Sequence, residues 1–522
     1  MTWVLVILSS SALIGVASAR AIPQFPALRA VLWILAILLN IFCAWFLRRK
    51  YGSSQTWPYV IPFLVAILIA NYLFVVVAPY RWQGCQTDVP YSAWDAYCTA
   101  PDSASYYFGY QVGSPRNPLY PWFIKLSTLG IGFDPAVYYQ HYPVSVAISA
   151  RDAPLFRVVH AQIIVLLAAG FAACTIMMAL LNSPLPAVLF LFLFDFGCLA
   201  PHELNEVLTE PLVQTWLFPL VAVFLMFLWK GWKNLLPVAG LFCGLLYLTR
   251  QAAAYTMILL VAMIVWGMLT NWRVYILPAV TSIVVLVCLV VIPDLYGYVK
   301  TGDFLAAQNS LQYQYRVAFA MQVAQPEDVS LMRDEESRQW LLAALERRDI
   351  EHRKVDEMCQ QDLYCRMVYY IDTNLYQVAM PPGFIRADLP GFLMSISTRI
   401  LTRHWTDYVA FGARFWMLGI TDPRVGRIRV GGIGPWLIYA LCFVVVFVRR
   451  GPAGFAAAML ILAHFTHLAL ISTHSVPMIR TVRASDFLVV IAIFLLLWDI
   501  AERISQGVGD ARRRSITSSQ TT

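Results

Sequence analysis

The sequence predicts an all-α polytopic membrane protein with about 12 transmembrane helices and amphipathic helices in its outer loops. Three observations carry that prediction. Of 522 residues, 59% are hydrophobic and only 13% charged, with a mean hydropathy of +0.63; soluble domains are about half apolar and a quarter charged. Apolar runs of about 17–25 residues recur, the length that crosses a bilayer core as a helix. Lysine and arginine are also unevenly shared between the two ends of those runs, as the positive-inside rule requires. The net charge of +8 is absorbed by helix ends facing the cytoplasm. It needs no nucleic acid, and the partner it implies is the lipid bilayer.

Taken in order, residues 1–57 hold two spans. Met1 to Ala19 carries a signal-peptidase-like Ala17-Ser18-Ala19 but no basic residues before it, so it reads as a retained helix. The second run is about 31–46, closed by Arg48-Arg49-Lys50. Residues 58–293 form the transmembrane core. Its runs lie at about 58–78, 158–181, 185–200, 211–229, 235–249, 253–271 and 274–293, with a long polar loop at 79–157. Residues 294–430 are a second large polar region. There 330–354 is charged and helix-like, and 392–415 mixes apolar and basic residues as helices on a membrane surface do. Residues 431–522 supply spans at about 432–448, 453–472 and 485–500 and a Ser/Thr-rich tail.

Alternating these spans from a cytoplasmic amino terminus places twelve basic residues in short inside segments: Arg48, Arg49, Lys50, Lys230, Lys233, Arg273, Arg449, Arg450, Arg503 and Arg512 to Arg514. Five fall outside: Arg20, Arg29, Arg250, Arg480 and Arg483. The opposite orientation reverses the bias, so both termini are expected in the cytoplasm and both long loops on the extracytoplasmic face of a plasma or inner membrane. Of ten cysteines, six lie in apolar runs as packing residues. The other four form two close pairs, Cys85/Cys98 and Cys359/Cys365, both in the outer loops. Neither has zinc-site spacing, and an oxidising compartment makes each a disulfide candidate.

The polar residues of the predicted outer face come from separate parts of the chain, and ionisable groups at a membrane boundary are costly enough to suggest function. Asp102 can accept a proton from a hydroxyl attacking a sugar carbon; it can equally cap a helix starting at Ser103, and the two roles are compatible. Asp88 and Asp95 are rivals in the same loop. Arg116-Asn117-Pro118-Leu119-Tyr120-Pro121 reads as a rigid turn, with prolines disfavouring helix before each. Its arginine suits a phosphate or a lipid headgroup. In PHELNEVLTEP, Glu203 and Glu206 are spaced i, i+3, and Glu206 and Glu210 i, i+4, so the acids can share a helix face. Such stacked charges call for a cation, a metal or a substrate, or else form a solvated helix end. With His202 the spacing is not that of a zinc site. Arg250, Arg480 and Arg483, with His474, lie at one predicted depth, which fits a phosphate or pyrophosphate; snorkelling to headgroups is the alternative for Arg250.

These residues resemble the GT-C superfamily of polyprenyl-phosphate-sugar-dependent glycosyltransferases, whose members include protein O-mannosyltransferases and the lipid A aminoarabinose transferase. The resemblance rests on Asp102-Ser103-x-x-x-Tyr107, the Arg116 to Pro121 turn, Glu206-x-x-x-Glu210-Pro211 and Gly244-x-x-x-x-Thr249-Arg250, in that order over about residues 58–300. It implies a GT-C-like core and a polyprenyl-phosphate-linked sugar as donor. The acceptor it implies is a cell-envelope glycan or lipid-linked saccharide. Asp102 looks like the general base, and Arg116, Arg250, Arg480 and Arg483 look like ligands of the lipid phosphate. Tyr106, Tyr107, Tyr120, His202, Glu206, Glu210 and His474 then line the substrate pocket, with a divalent metal at the two glutamates as an option. Two spans precede the family's usual first helix, and the first-loop motif has no second adjacent acid, so single-acid, metal-free catalysis is expected. The alternatives are a transporter or flippase of lipid-linked saccharide, marked by polar residues at mid-membrane, and a glycan ligase or polymerase using a polyprenyl-pyrophosphate donor. A non-catalytic assembly subunit is a further alternative.

Overall fold

The computed structural model describes residues 96–99, 117–129, 146–149, 155–181, 209–301, 306–379, 389–422, 439–440, 444, 451–474 and 485–500. These are helical apart from one two-stranded antiparallel ribbon. They fall into two compact units, each made of several chain segments.

In the first unit, β1 (Ala96–Thr99) opens the ribbon. Next come α1 (Leu119–Ser127), β2 (Val146–Ser149), α2 (Leu155–Leu181), α3 (Glu210–Lys230) and α4 (Leu235–Thr249). β1 pairs with β2 in the register Ala96↔Ser149 to Thr99↔Val146. The ribbon lies inside the loop predicted at 79–157, and its pairing ties together the two ends of the segment that holds Asp102 and Arg116. The α2, α3 and α4 helices pack as neighbours, and α1 rests on α2 and α4. Pro211 starts α3, where its missing N–H has no intrahelical partner. Gly231 ends α3 in the left-handed region at φ 65°, and the Tyr275 hydroxyl donates to the Gly231 carbonyl at 2.7 Å. The hairpin that follows runs α4 back along α3, so Glu210 and Arg250 share one end of the pair and Lys230 and Lys233 the other.

A short 3₁₀ turn (Gln251–Thr256) leads into α5 (Met257–Thr301), which is interrupted at Asn271 (φ −161°, ψ 88°). The sequence predicts two spans here, at 253–271 and 274–293. The structure has two helices joined across a kink at Asn271, the last residue of the first predicted run. Together with the 3₁₀ turn they form a 49-residue apolar stretch of which only 17% of the most apolar window is buried in protein. Residues on all sides, among them Val261, Leu269, Leu277 and Val287, are exposed; a helix apolar all round and left uncovered requires a non-aqueous neighbour. Among the described residues, three helices are long and apolar enough to cross a membrane: Glu210–Lys230, Gln251–Val299 and Pro452–Thr473. The other runs predicted as spans at 1–19, 31–46, 58–78 and 185–200 lie outside the described residues, as does nearly all of 432–448.

The second unit takes in most of the region after α5. It comprises the end of α6 (Ala306–Val323), α7 (Glu335–Cys359), α8 (Leu363–Thr373) and most of α9 (Leu389–Arg403). It continues through α10 (Trp405–Thr421) and α11 (Pro452–His474) to α12 (485–500). Asp334 caps α7 by accepting from Ser337 N at 2.7 Å, and Asp362 caps α8 by accepting from Cys365 N at 3.1 Å. Cys359 and Cys365 form a disulfide across the α7–α8 corner, with Cα atoms 5.6 Å apart. The core here is Phe319, Met367, Ile371, Leu375 and Phe415. The residues 392–415 are predicted as surface-lying helix. They fall in α9 and α10, and from α10 Tyr408 donates to Thr473 O at 2.8 Å and Trp416 to Phe465 O at 3.3 Å. Equal eight-residue steps on both helices make α10 run alongside α11. Gly412 allows this approach, since a Cβ there would sit 3.0 Å from Thr473 Cγ2.

Candidate functional site

Three of the sequence motifs meet at one end of the first unit. Arg250 Nη1 donates to Glu210 Oε1 at 2.7 Å. The Glu210 side chain is almost fully buried while the Arg250 side chain keeps 26% of its surface. Glu210 opens α3 and Arg250 ends α4 in extended conformation, so the antiparallel hairpin sets the pair. Thr209 Oγ1 lies 3.3 Å from Glu210 Oε2. Among the described residues no other side chain bonds the Arg250 guanidinium, which leaves part of its donor fork for a ligand. The acid run predicted to need a cation, a metal or a substrate thus has a protein cation at Glu210. Among the described residues no cluster of three metal-binding side chains occurs.

The turn after Arg116 joins the same end. Asn117 Nδ2 donates to the Tyr247 carbonyl, one helical turn before Arg250. The fully buried Tyr120 donates its hydroxyl to Gln162 Oε1 on α2 at 3.0 Å. The prolines do not keep this stretch extended: α1 begins at Leu119 and holds Pro121 in its first turn. There the ring meets no preceding helical carbonyl and the absent N–H costs nothing, so Tyr120 is helical despite preceding a proline. Sequence reasoning passed over Asn117 as a ligand of the backbone. It also missed Asp294, buried on α5 with its charge close to the Tyr247 hydroxyl, to which the Gln251 side chain hydrogen-bonds. Asp294 follows an apolar run directly, and the acid placed there was the available signal.

Several proposed site residues lie outside the described residues: Asp102, Tyr106, Tyr107, Arg116, His202, Glu206, Arg480 and Arg483, with Asp88, Asp95, Glu203 and Cys85. His474 closes α11 and Cys98 lies in β1.

The second unit has a cleft of its own, of about 450 Å³, bordered by Gln322, Arg348, Asp349, His352, Asp407 and Arg414. Arg348 is anchored, donating to Met321 O at 3.2 Å and Ala324 O at 2.6 Å. Burial, helped by the Arg348 charge, lowers the His352 imidazole from 6.5 to about 4, so it is neutral at pH 7. Its Nε2 lies 2.9 Å from Asn374 Nδ2, and its ring lies 4.1 Å from that of Tyr370. Behind the cleft, His404 Nε2 lies 2.9 Å from both oxygens of the fully buried Asp328, whose charge Arg403 approaches at 3.3 Å.

No protein-family model, curated protein or solved structure matches this chain.

Proposed function

We propose that this chain is an inverting, polyprenyl-phosphate-sugar-dependent glycosyltransferase of the GT-C type. In this reading about 12 spans, with both termini in the cytoplasm, hold an extracytoplasmic site. The donor's phosphate lies among arginines that stabilise the leaving group as charge builds. Asp102 takes the proton of an acceptor hydroxyl on a cell-envelope glycan or lipid-linked saccharide, and the sugar transfers in one displacement.

The observation that supports this most is the meeting of Glu210, Arg250 and the Asn117 turn. Three motifs named from separate stretches of sequence converge at one helix-pair end, opposite Lys230 and Lys233. Arg250 keeps exposed donors there, and the buried Glu210 fixes their direction. No metal enters the proposed chemistry.

The test is to purify the full-length protein and its Asp102→Asn variant and to offer each a panel of polyprenyl-phosphate sugars. Transfer by the wild type and its loss in Asp102→Asn are expected. Binding of no such lipid by the wild type removes the family reading, and unchanged transfer by the variant removes Asp102 as base.

A further inference from the structure

The cleft of the second unit is not used by the proposed transfer, and the side chains at its border all belong to that one unit. Three helices wall it. The carboxyl end of α6 brings Gln322, α7 brings Arg348, Asp349 and His352, and α10 brings Asp407, Phe411 and Arg414. The three on α10 are spaced i, i+4 and i+7, so they share one face. The acid and the base at its two ends are about 10 Å apart along the helix axis. Phe411 between them is steadied by the core, its ring 5.9 Å from that of Phe319 and 6.0 Å from that of Phe415.

The polar groups of the cleft are set from behind. Arg348 Nη1 donates to two carbonyls at the end of α6, while its Nε and Nη2 each lie 2.8 Å from Asp349 Oδ1. Asp349 Oδ2 is left without a hydrogen-bond partner among the described residues. The fully buried Asn374 donates from Nδ2 to Tyr370 O at 2.6 Å. That bond fixes the amide's orientation, so the same nitrogen donates to His352 Nε2 at 2.9 Å. The neutral imidazole then carries its proton on Nδ1, which has no hydrogen-bond partner among the described residues. Arg414 is exposed and has none there either. Asp407 is 63% exposed, with one oxygen 3.6 Å from His404 Nδ1.

These open groups fit one ligand chemistry. The two arginines balance the two aspartates, so a simple anion entering the cleft meets carboxylates and a simple cation meets guanidinium groups. A sugar hydroxyl donates and accepts at once. Planar carboxylate and guanidinium groups can grip neighbouring hydroxyls in pairs, as they grip each other, and the C–H face of a sugar ring packs on an aromatic ring. A volume of about 450 Å³ falls among small-ligand sites, about 300–1,000 Å³.

We propose that this cleft binds an uncharged saccharide, laid on Phe411 and held by Asp349, His352, Asp407 and Arg414. The site shares no residue with the transferase reading and does not rest on it. The full-length protein in lipid nanodiscs is passed over an array of neutral, uronate-bearing and phosphorylated oligosaccharides, with no polyprenyl lipid present. Retention of a neutral oligosaccharide is expected. Asp407→Ala and Arg414→Ala change exposed side chains and spare the fold, and each should weaken that retention at least about tenfold, the worth of one hydrogen bond to a charged group. No retention of any neutral oligosaccharide overturns the proposal. So does retention unchanged in either variant, and so does retention of the charged oligosaccharides alone. Binding without transfer removes the transferase reading alone, and transfer without this binding removes the cleft alone.

Discussion

Arg250 Nη1 sits 2.7 Å from Glu210 Oε1, joining the end of α4 to the start of α3 across forty residues of sequence. The two partners are unequally buried, so removing either one should have unequal effects. Arg250→Ala removes the cation facing a buried carboxylate and should destabilise by about 2–4 kcal/mol, near the range for broken buried pairs. Glu210→Gln leaves a partly hydrated guanidinium and should cost less, about 1–2 kcal/mol. Thermal unfolding of the two variants and of their double mutant in detergent checks the order. Equal losses would refute the asymmetric burial. Arg250→Lys keeps the charge but loses the fork, so on the transferase reading it should bind donor lipid more weakly.

Much of the helical framework was legible because long apolar runs need little else to define them. The run at 235–249 coincides with α4, and 485–500 with α12. The break in α5 was legible as well: the runs at 253–271 and 274–293 part within two residues of the kink, because polar Asn271 and charged Arg273 interrupt the apolar pattern there. The β-ribbon was missed although Val146-Ala147-Ile148-Ser149 continues an alternating pattern begun at Val144; two four-residue strands gave too short a period to compete with a loop assignment. For the site, single residues were visible but pairings were not. Glu210 was singled out for its acidic neighbours, and its partner came from a different helix end.

The Cys359–Cys365 disulfide braces the corner where Gln360 adopts φ 49°, an unusual conformation for a residue other than glycine. Cross-linking a loop this short restrains the unfolded chain by about 2 kcal/mol. Cys359→Ser should therefore lower stability by about that amount, and labelling under denaturing, non-reducing conditions should find one extra reactive thiol, at Cys365. One reactive thiol fewer in the variant than in wild type would show that the bridge does not form.

His352 and Asp372 make stability depend on pH in opposite directions. Burial lowers His352 from 6.5 to about 4, so its contribution is present above pH 6.5 and is lost as pH falls towards 4. The loss should reach about 2–3 kcal/mol. Burial raises Asp372 from 3.8 to about 6, so its contribution is present below pH 4 and is lost as pH rises through 6. Subtracting the pH–stability profile of His352→Gln from that of wild type should isolate the first slope. Asp372→Asn should be more stable than wild type at pH 7 by up to about 3 kcal/mol and equal to it near pH 4. A wild-type-like profile for either variant would contradict the assignment of that group.

Gly240 and Gly244 form a Gly-x-x-x-Gly face on α4 that brings the second half of α5 close, as small residues do between membrane helices. A Cβ on Gly240 would meet the Ser282 carbonyl oxygen at 2.5 Å, whereas one on Gly244 would meet the Leu289 side chain, with its Cβ at 2.8 Å. Backbone cannot step aside, but a leucine can change rotamer. Gly240→Ala should therefore force the helices apart and destabilise by about 1–3 kcal/mol, the range for overpacked interiors. Gly244→Ala should cost less, and pairing it with Leu289→Ala should recover part of the loss. The measurement is thermal unfolding of the three variants in one detergent. A larger penalty at Gly244 than at Gly240 would mean that α4 and α5 do not meet through the Ser282 carbonyl.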